Sequence, residues 1–76
     1  MGAREMTIDQ LASRVGMTVR NVRAYATRGL LPAPKLVGRK GFYGAEHESR
    51  LRLIRELIDR GYTLHAVEKA LEERPE

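Results

Sequence analysis

Seven cations, Arg14, Arg20, Arg23, Arg28, Lys35, Arg39 and Lys40, fall between Gln10 and Ala45, a stretch of thirty-six residues without one carboxylate. Side chains of this kind do no covalent chemistry when grouped this way; they hold anions. Arginine's planar fork in particular matches a phosphate or the O6/N7 edge of guanine. The rest of the 76-residue chain carries seven basic and ten acidic residues, so the formal net charge of +4 understates the segregation. Basic surface gathered into one segment is the footprint of a polyanion binder. The plainer alternative is a solvated face that keeps a small domain soluble.

Other chemistry has little to work with. There is no cysteine, which removes disulfides, thiolate metal sites and cysteine nucleophiles together. His47 and His65 stand eighteen residues apart on different expected helices, without metal-ligand spacing. Both are read as solvent-facing, and no metal or other cofactor is expected. No nucleophile has a neighbouring base, and 8.6 kDa leaves no room for a deep pocket, so the chain reads as a non-enzyme. Tyr25, Phe42 and Tyr43 are too few for an RNA-stacking platform. No apolar run approaches the ~18–20 residues of a membrane span, and no signal-peptide core follows the start. One soluble basic domain remains, with residues 1–5 expected as a flexible leader.

The cations need a scaffold, and the punctuation of the sequence supplies it. Thr7, Thr18 and Thr63 each sit where a hydroxyl can accept from an orphan helix N–H. Each has an apolar residue before it and another four after it, and Thr7 with Gln10 completes a capping-box pattern. Gly16, Gly29 and Gly61 mark three helix ends. The resulting helices span about 8–15, 19–28, 45–60 and 64–73. Their inward stripes are Ile8, Leu11, Ala12 and Val15; Val19, Val22 and Ala26; Leu51, Ile54, Leu57 and Ile58; and Leu64, Val67 and Leu71. On the wet side of the third helix, Glu46–Arg50, Glu48–Arg52 and Glu56–Arg60 are i,i+4 pairs.

Between the second and third helices, Leu30-Leu31-Pro32-Ala33-Pro34 cannot continue a helix. Lys35-Leu36-Val37 reads as a short strand and Phe42-Tyr43 as its antiparallel mate. Gly38-Arg39-Lys40-Gly41 is then the tip, with a glycine at either end free to take positive φ. Such a hairpin needs Leu36, Phe42 or Tyr43 to lean on the helical core. The predicted fold is mainly α, a winged helix-turn-helix of four helices with a two-stranded antiparallel wing.

The short link Gly16-Met17-Thr18 makes the second helix a recognition helix, entering the major groove by its N-terminal half. Arg20, Ala24 and Thr27 face outward and Arg23 borders the core stripe. Arg20 is assigned to a base edge, and Asn21 to adenine readout or to plain polar surface. Arg23 and Arg28 are assigned to phosphates, with a structural ion pair as the alternative for Arg23. Thr18 and Lys35 complete the helix and strand members of the candidate set.

These residues carry a resemblance. Met6-Thr7-Ile8-Asp9-Gln10-Leu11-Ala12, Thr18 through Tyr25, and Gly29-Leu30-Leu31-Pro32 resemble the N-terminal DNA-binding domain of the MerR family of bacterial transcriptional regulators. So does the run from Arg50-Leu51-Arg52-Leu53-Ile54 to Gly61-Tyr62-Thr63-Leu64. The resemblance covers residues 6 to about 71. It implies groove contacts from Arg20 and its neighbours, and phosphate contacts from Arg23, Tyr25, Arg39, Lys40 and Tyr43. Ala24 stands where the family usually has an aromatic, and Gly41 where it usually has an arginine. Family members continue into a dimerisation helix and an effector-sensing region, so residues 6–73 are expected to be a DNA-binding fragment of a longer cytoplasmic regulator. The implied partner is double-stranded DNA. RNA polymerase contact and homodimerisation are referred to the parent protein, and no membrane partner is implied. Two alternatives stand beside this: an excisionase-like architectural DNA binder, and a protein-interaction module of chaperone-modulator type.

Overall fold

In a computed structural model, residues 5–72 are described. The order of elements is α1 (Ile8–Val15), α2 (Val19–Thr27), β1 (Lys35–Val37), β2 (Lys40–Phe42), α3 (Ala45–Asp59) and α4 (Leu64–Glu72). Part of the expected leader, residues 1–4, lies outside the described residues, as does the final expected residue of the fourth helix. Glu5 is described: it is exposed, and its carboxylate pairs with Lys35 at 3.0 Å.

The three threonines cap as their spacing dictates. Thr7 Oγ1 accepts from the Gln10 amide at 3.2 Å while Gln10 Oε1 accepts from the Thr7 amide at 2.9 Å, a complete capping box. Thr18 Oγ1 accepts from Asn21 N–H at 3.1 Å and Thr63 Oγ1 from Ala66 N–H at 3.0 Å. The ends of α1, α2 and α3 are alike. Met17, Leu30 and Tyr62 each donate their amide five residues back, to the carbonyls of Ala12, Tyr25 and Leu57, in the Schellman arrangement. At Gly16, φ is +71°, a conformation that favours glycine, and a Cβ there would oblige the Arg55 guanidinium to move.

Among the described residues ten apolar side chains form the core, with Leu11, Val22, Leu51, Ile54 and Val67 fully enclosed. No helix of this length is stable alone, so the mutual burial of α1, α2, α3 and α4 is what holds each of them. Two of the ten, Leu30 and Leu31, come from the linker after α2.

Several expectations are corrected here. Ala26 is exposed; Tyr25, three residues after Val22, packs half-buried against the core instead. Both positions satisfy helical spacing, and the larger aromatic surface takes the inward place. The hairpin is tighter than predicted: Val37 pairs with Lys40, Leu36 with Gly41 and Lys35 with Phe42. The turn is therefore the two residues Gly38 and Arg39, with positive φ at Gly38 alone, the pattern of a II′ turn. Gly41 is a strand residue without positive φ, and a Cβ there would press on the Pro34 ring at 3.3 Å. Leu36 does not lean on the helices; it is 69% exposed, and Val37 is 55% exposed. Of the three residues expected to lean on the helical core, Tyr43 does so: it packs half-buried on the core and moors the wing by two backbone hydrogen bonds of 2.8 Å with Met6.

Candidate nucleic-acid interface

α2 begins immediately after the Gly16 turn because Thr18 caps it, and its first turn holds no acidic residue. By contrast α1 has Asp9 and α3 has Glu46 and Glu48 in their first turns. The partial positive charge at the α2 N-terminus thus has no carboxylate in its own first turn, and Arg20 and Arg23 add full charges to it. Arg20, Asn21 and Arg23 are all exposed. Thr18, Asn21 and Tyr25 come together in a shallow depression of about 410 Å³ at the mouth of the helix-turn-helix, with Arg55 of α3 on its far wall. Ala24 is exposed on the same helix and leaves that part of its outer surface without a large side chain.

On the wing, Arg39 occupies the turn and Lys40 the first position of β2, and both are exposed. The short two-residue turn puts these two cations at consecutive positions at the extremity of the hairpin. Tyr43, at the base, is not at the tip: its ring meets the His47 ring edge-on, with centroids 5.0 Å apart.

The seven cations of the acid-free segment divide into two groups. Arg14 pairs with Glu48 at 3.0 Å, Arg28 with Glu68 at 2.6 Å and Lys35 with Glu5 at 3.0 Å. Arg20, Arg23, Arg39 and Lys40 have no carboxylate within 4 Å among the described residues. The linear segregation of charge therefore overstates what is available. Arg28, at the C-cap of α2, spends its guanidinium on α4, and Lys35 holds the residue preceding the Met6–Tyr43 bridge. Four cations, two on the second helix and two on the hairpin, remain for an external anion.

Sequence reasoning missed the role of α3. Arg55 Nη1 donates to the Val15 carbonyl at 2.6 Å, closing the C-terminal end of α1, and Arg50 Nη1 donates to the Leu30 carbonyl at 3.3 Å. Glu46–Arg50 is accordingly not formed, whereas Glu48–Arg52 at 2.8 Å and Glu56–Arg60 at 2.9 Å are. The hydrogen bond from Arg52, helped by Arg14, holds the Glu48 carboxyl below its usual range against the opposing effect of burial.

His47 also departs from expectation. It is 3% exposed rather than solvent-facing, and both ring nitrogens are engaged. Nδ1 accepts from the Gly44 amide at 3.0 Å, and Nε2 lies 3.1 Å from the Pro32 carbonyl, which only accepts, so the ring is the neutral Nε2–H tautomer. A signal was present: His47, Leu51 and Ile54 fall at i, i+4 and i+7, on the inward stripe of α3. His65 is exposed as read. Among the described residues no helix is long and apolar enough to cross a membrane, and no three His, Asp or Glu cluster to hold a metal.

A helix-turn-helix whose second helix carries exposed cations, followed by a cation-tipped hairpin moored to the same core, defines the winged helix-turn-helix class. Within it, the chain belongs to the MerR helix-turn-helix family of regulatory proteins, whose model matches residues 6–74. Nodulation protein NolA of Bradyrhizobium elkanii is 37% identical over 70 residues, 91% of this chain and 32% of NolA. The crystal structure of the transcription regulator PbrR691 from Ralstonia metallidurans CH34, in complex with lead(II), superposes with a TM-score of 0.82 at 32% identity. The match covers 88% of this chain and 53% of that one. HiNmlR, a MerR family regulator lacking the sensor domain and bound to promoter DNA, gives the same TM-score at 21% identity, over 91% of this chain and 53% of its own. The likeness to HiNmlR is one of fold. The chain thus spans about a third of NolA and about half of each regulator structure.

Proposed function

We infer that this domain binds double-stranded DNA sequence-specifically in the control of transcription, with α2 in the major groove and the wing on phosphates. The observation that carries the reading is the group of four exposed cations, Arg20, Arg23, Arg39 and Lys40, without carboxylate partners among the described residues. Arg20 is the base-reading candidate, with Asn21 beside it, because the N-terminal half of a recognition helix reaches base edges. Arg23, Arg39 and Lys40 take phosphates, with Tyr25 and Tyr43 offering hydroxyls from half-buried rings. The Thr18 hydroxyl is already accepting from Asn21, so toward DNA it serves as a donor.

A domain of this size covers roughly 600–1,000 Å² of duplex and binds weakly by itself. The reading therefore assigns homodimerisation, effector sensing and contact with RNA polymerase to a longer parent regulator, in keeping with relatives of which this chain covers only about a third to a half. A cytoplasmic location follows from the DNA target.

Gel shifts on a selected site and on random duplex test the assignment. Arg20→Ala should flatten the preference between the two, and Arg39→Ala should weaken binding to both alike. With the three phosphates of Arg23, Arg39 and Lys40 neutralised, log K should fall with log salt at a slope of about −3. Absence of salt-dependent binding to any duplex rejects the reading in favour of a protein partner.

A further inference from the structure

The wing is a two-stranded ribbon with an exposed face, and such a ribbon does not hold its own orientation in water. Something at its base must set the direction in which Arg39 and Lys40 point. The chain enters the wing through the linker Leu30–Pro34 and leaves it through Tyr43 and Gly44. His47, on the first turn of α3, touches both stems. Its Nε2–H reaches the Pro32 carbonyl on the way in, and its Nδ1 receives the Gly44 amide on the way out. Its ring supports Tyr43 edge-on, and Tyr43 is the residue whose backbone is bonded twice to Met6. One helical turn further along the same face, Arg50 holds the Leu30 carbonyl of the incoming stem.

We propose that His47 is the positioning residue of the wing: a neutral, buried clasp that joins entry and exit stems and fixes the wing's cations against the DNA backbone. It touches no nucleic acid. The proposal rests on the DNA-binding reading for its consequence, though the clasp is a property of the free protein. The ring suits the task because a single imidazole offers one acceptor and one donor on opposite edges. An ionised aspartate or glutamate at this position of a helix can accept from the N-cap amide, as Gln10 Oε1 does for Thr7, but an acceptor alone leaves the Pro32 carbonyl unmet.

Two variants of the 76-residue chain separate this role from simple stability. H47E retains an acceptor for the Gly44 amide, at the capping-box position, and has no donor for the Pro32 carbonyl. H47A loses both. In the free protein, amide ¹⁵N relaxation should show increased motion from Lys35 to Tyr43 in both variants, with α1 and the middle of α3 unchanged. Nitrogen-15 shifts of the wild-type ring should report the Nε2–H tautomer.

Binding to a short random-sequence duplex completes the test through a double-mutant cycle. H47A should weaken binding about tenfold in the wild-type background, the scale of losing positional control over two phosphate contacts. In the R39A/K40A background its effect should fall below about twofold, since the clasp then has no wing cations to aim. An undiminished loss in that background, or relaxation changes spread through the helices, overturns the proposal and makes His47 a general core residue. Failure of the wild-type chain to bind the duplex at low salt would instead reject the DNA reading, and the relaxation data would still decide the clasp.

Discussion

The arginines of α3 and the cations of α2 and the wing are the same kinds of side chain in two different conditions. On α3, Arg50 and Arg55 close the carbonyls of Leu30 and Val15, while Arg52 and Arg60 pair with Glu48 and Glu56. On α2 and the wing, Arg20, Arg23, Arg39 and Lys40 stand exposed without carboxylate partners among the described residues. The first group builds the frame, and the second is left for an outside anion. Net charge does not distinguish them. What does is whether a helix C-terminus, a turn carbonyl or a glutamate four residues away is within reach.

That contrast can be broken from either side. The largest expected effect comes from the exposed group. R23A/R39A/K40A should lower the magnitude of the salt slope by about 2.7 and weaken random-duplex binding more than about a hundredfold at moderate salt. The melting temperature should barely move, because exposed unpaired residues rarely matter to stability. R55A should do the opposite. It leaves the Val15 carbonyl without its donor and costs about 1 kcal/mol, or about 4–8 °C in thermal melting for a domain this small. A loss of DNA affinity without loss of stability in R55A would move Arg55 into the exposed group.

The smallest effect concerns Glu48 and has a defined pH dependence. Because Arg52 and Arg14 hold its carboxyl below the usual value, the ionised form stabilises the fold. That contribution is fully present above the ordinary carboxylate range and is lost as pH falls through the lowered native value. E48Q should therefore melt below the wild type at neutral pH, and the two melting curves should converge in acid. A difference that persists at low pH would mean that the glutamate acts through packing and not through its charge.

Much of the frame was legible from local chemistry. Thr7, Thr18 and Thr63 announce helix starts because their hydroxyls satisfy nearby amides, and Gly16 announces an end because glycine takes the left-handed conformation without steric cost. The turn register was less legible, since Gly38 and Gly41 both suit a turn and only pairing with β1 decides between them. Tyr25 and Ala26 compete for one inward position, and periodicity over a nine-residue helix cannot choose. Long-range bonds were invisible: nothing local to Arg55 or His47 says that a carbonyl from a distant turn will meet it. The candidate interface was readable as a set of cations, but not its division into paired and unpaired members, because Arg28–Glu68 and Lys35–Glu5 join residues thirty or more positions apart.

That division is the central claim, and arginine side-chain NMR during titration with a short duplex tests it most directly. The Nε–Hε resonances of Arg20, Arg23 and Arg39 should shift progressively with added DNA, while those of Arg50 and Arg52 stay in place. Movement of Arg50 and Arg52 with Arg20, Arg23 and Arg39 unchanged would contradict the account.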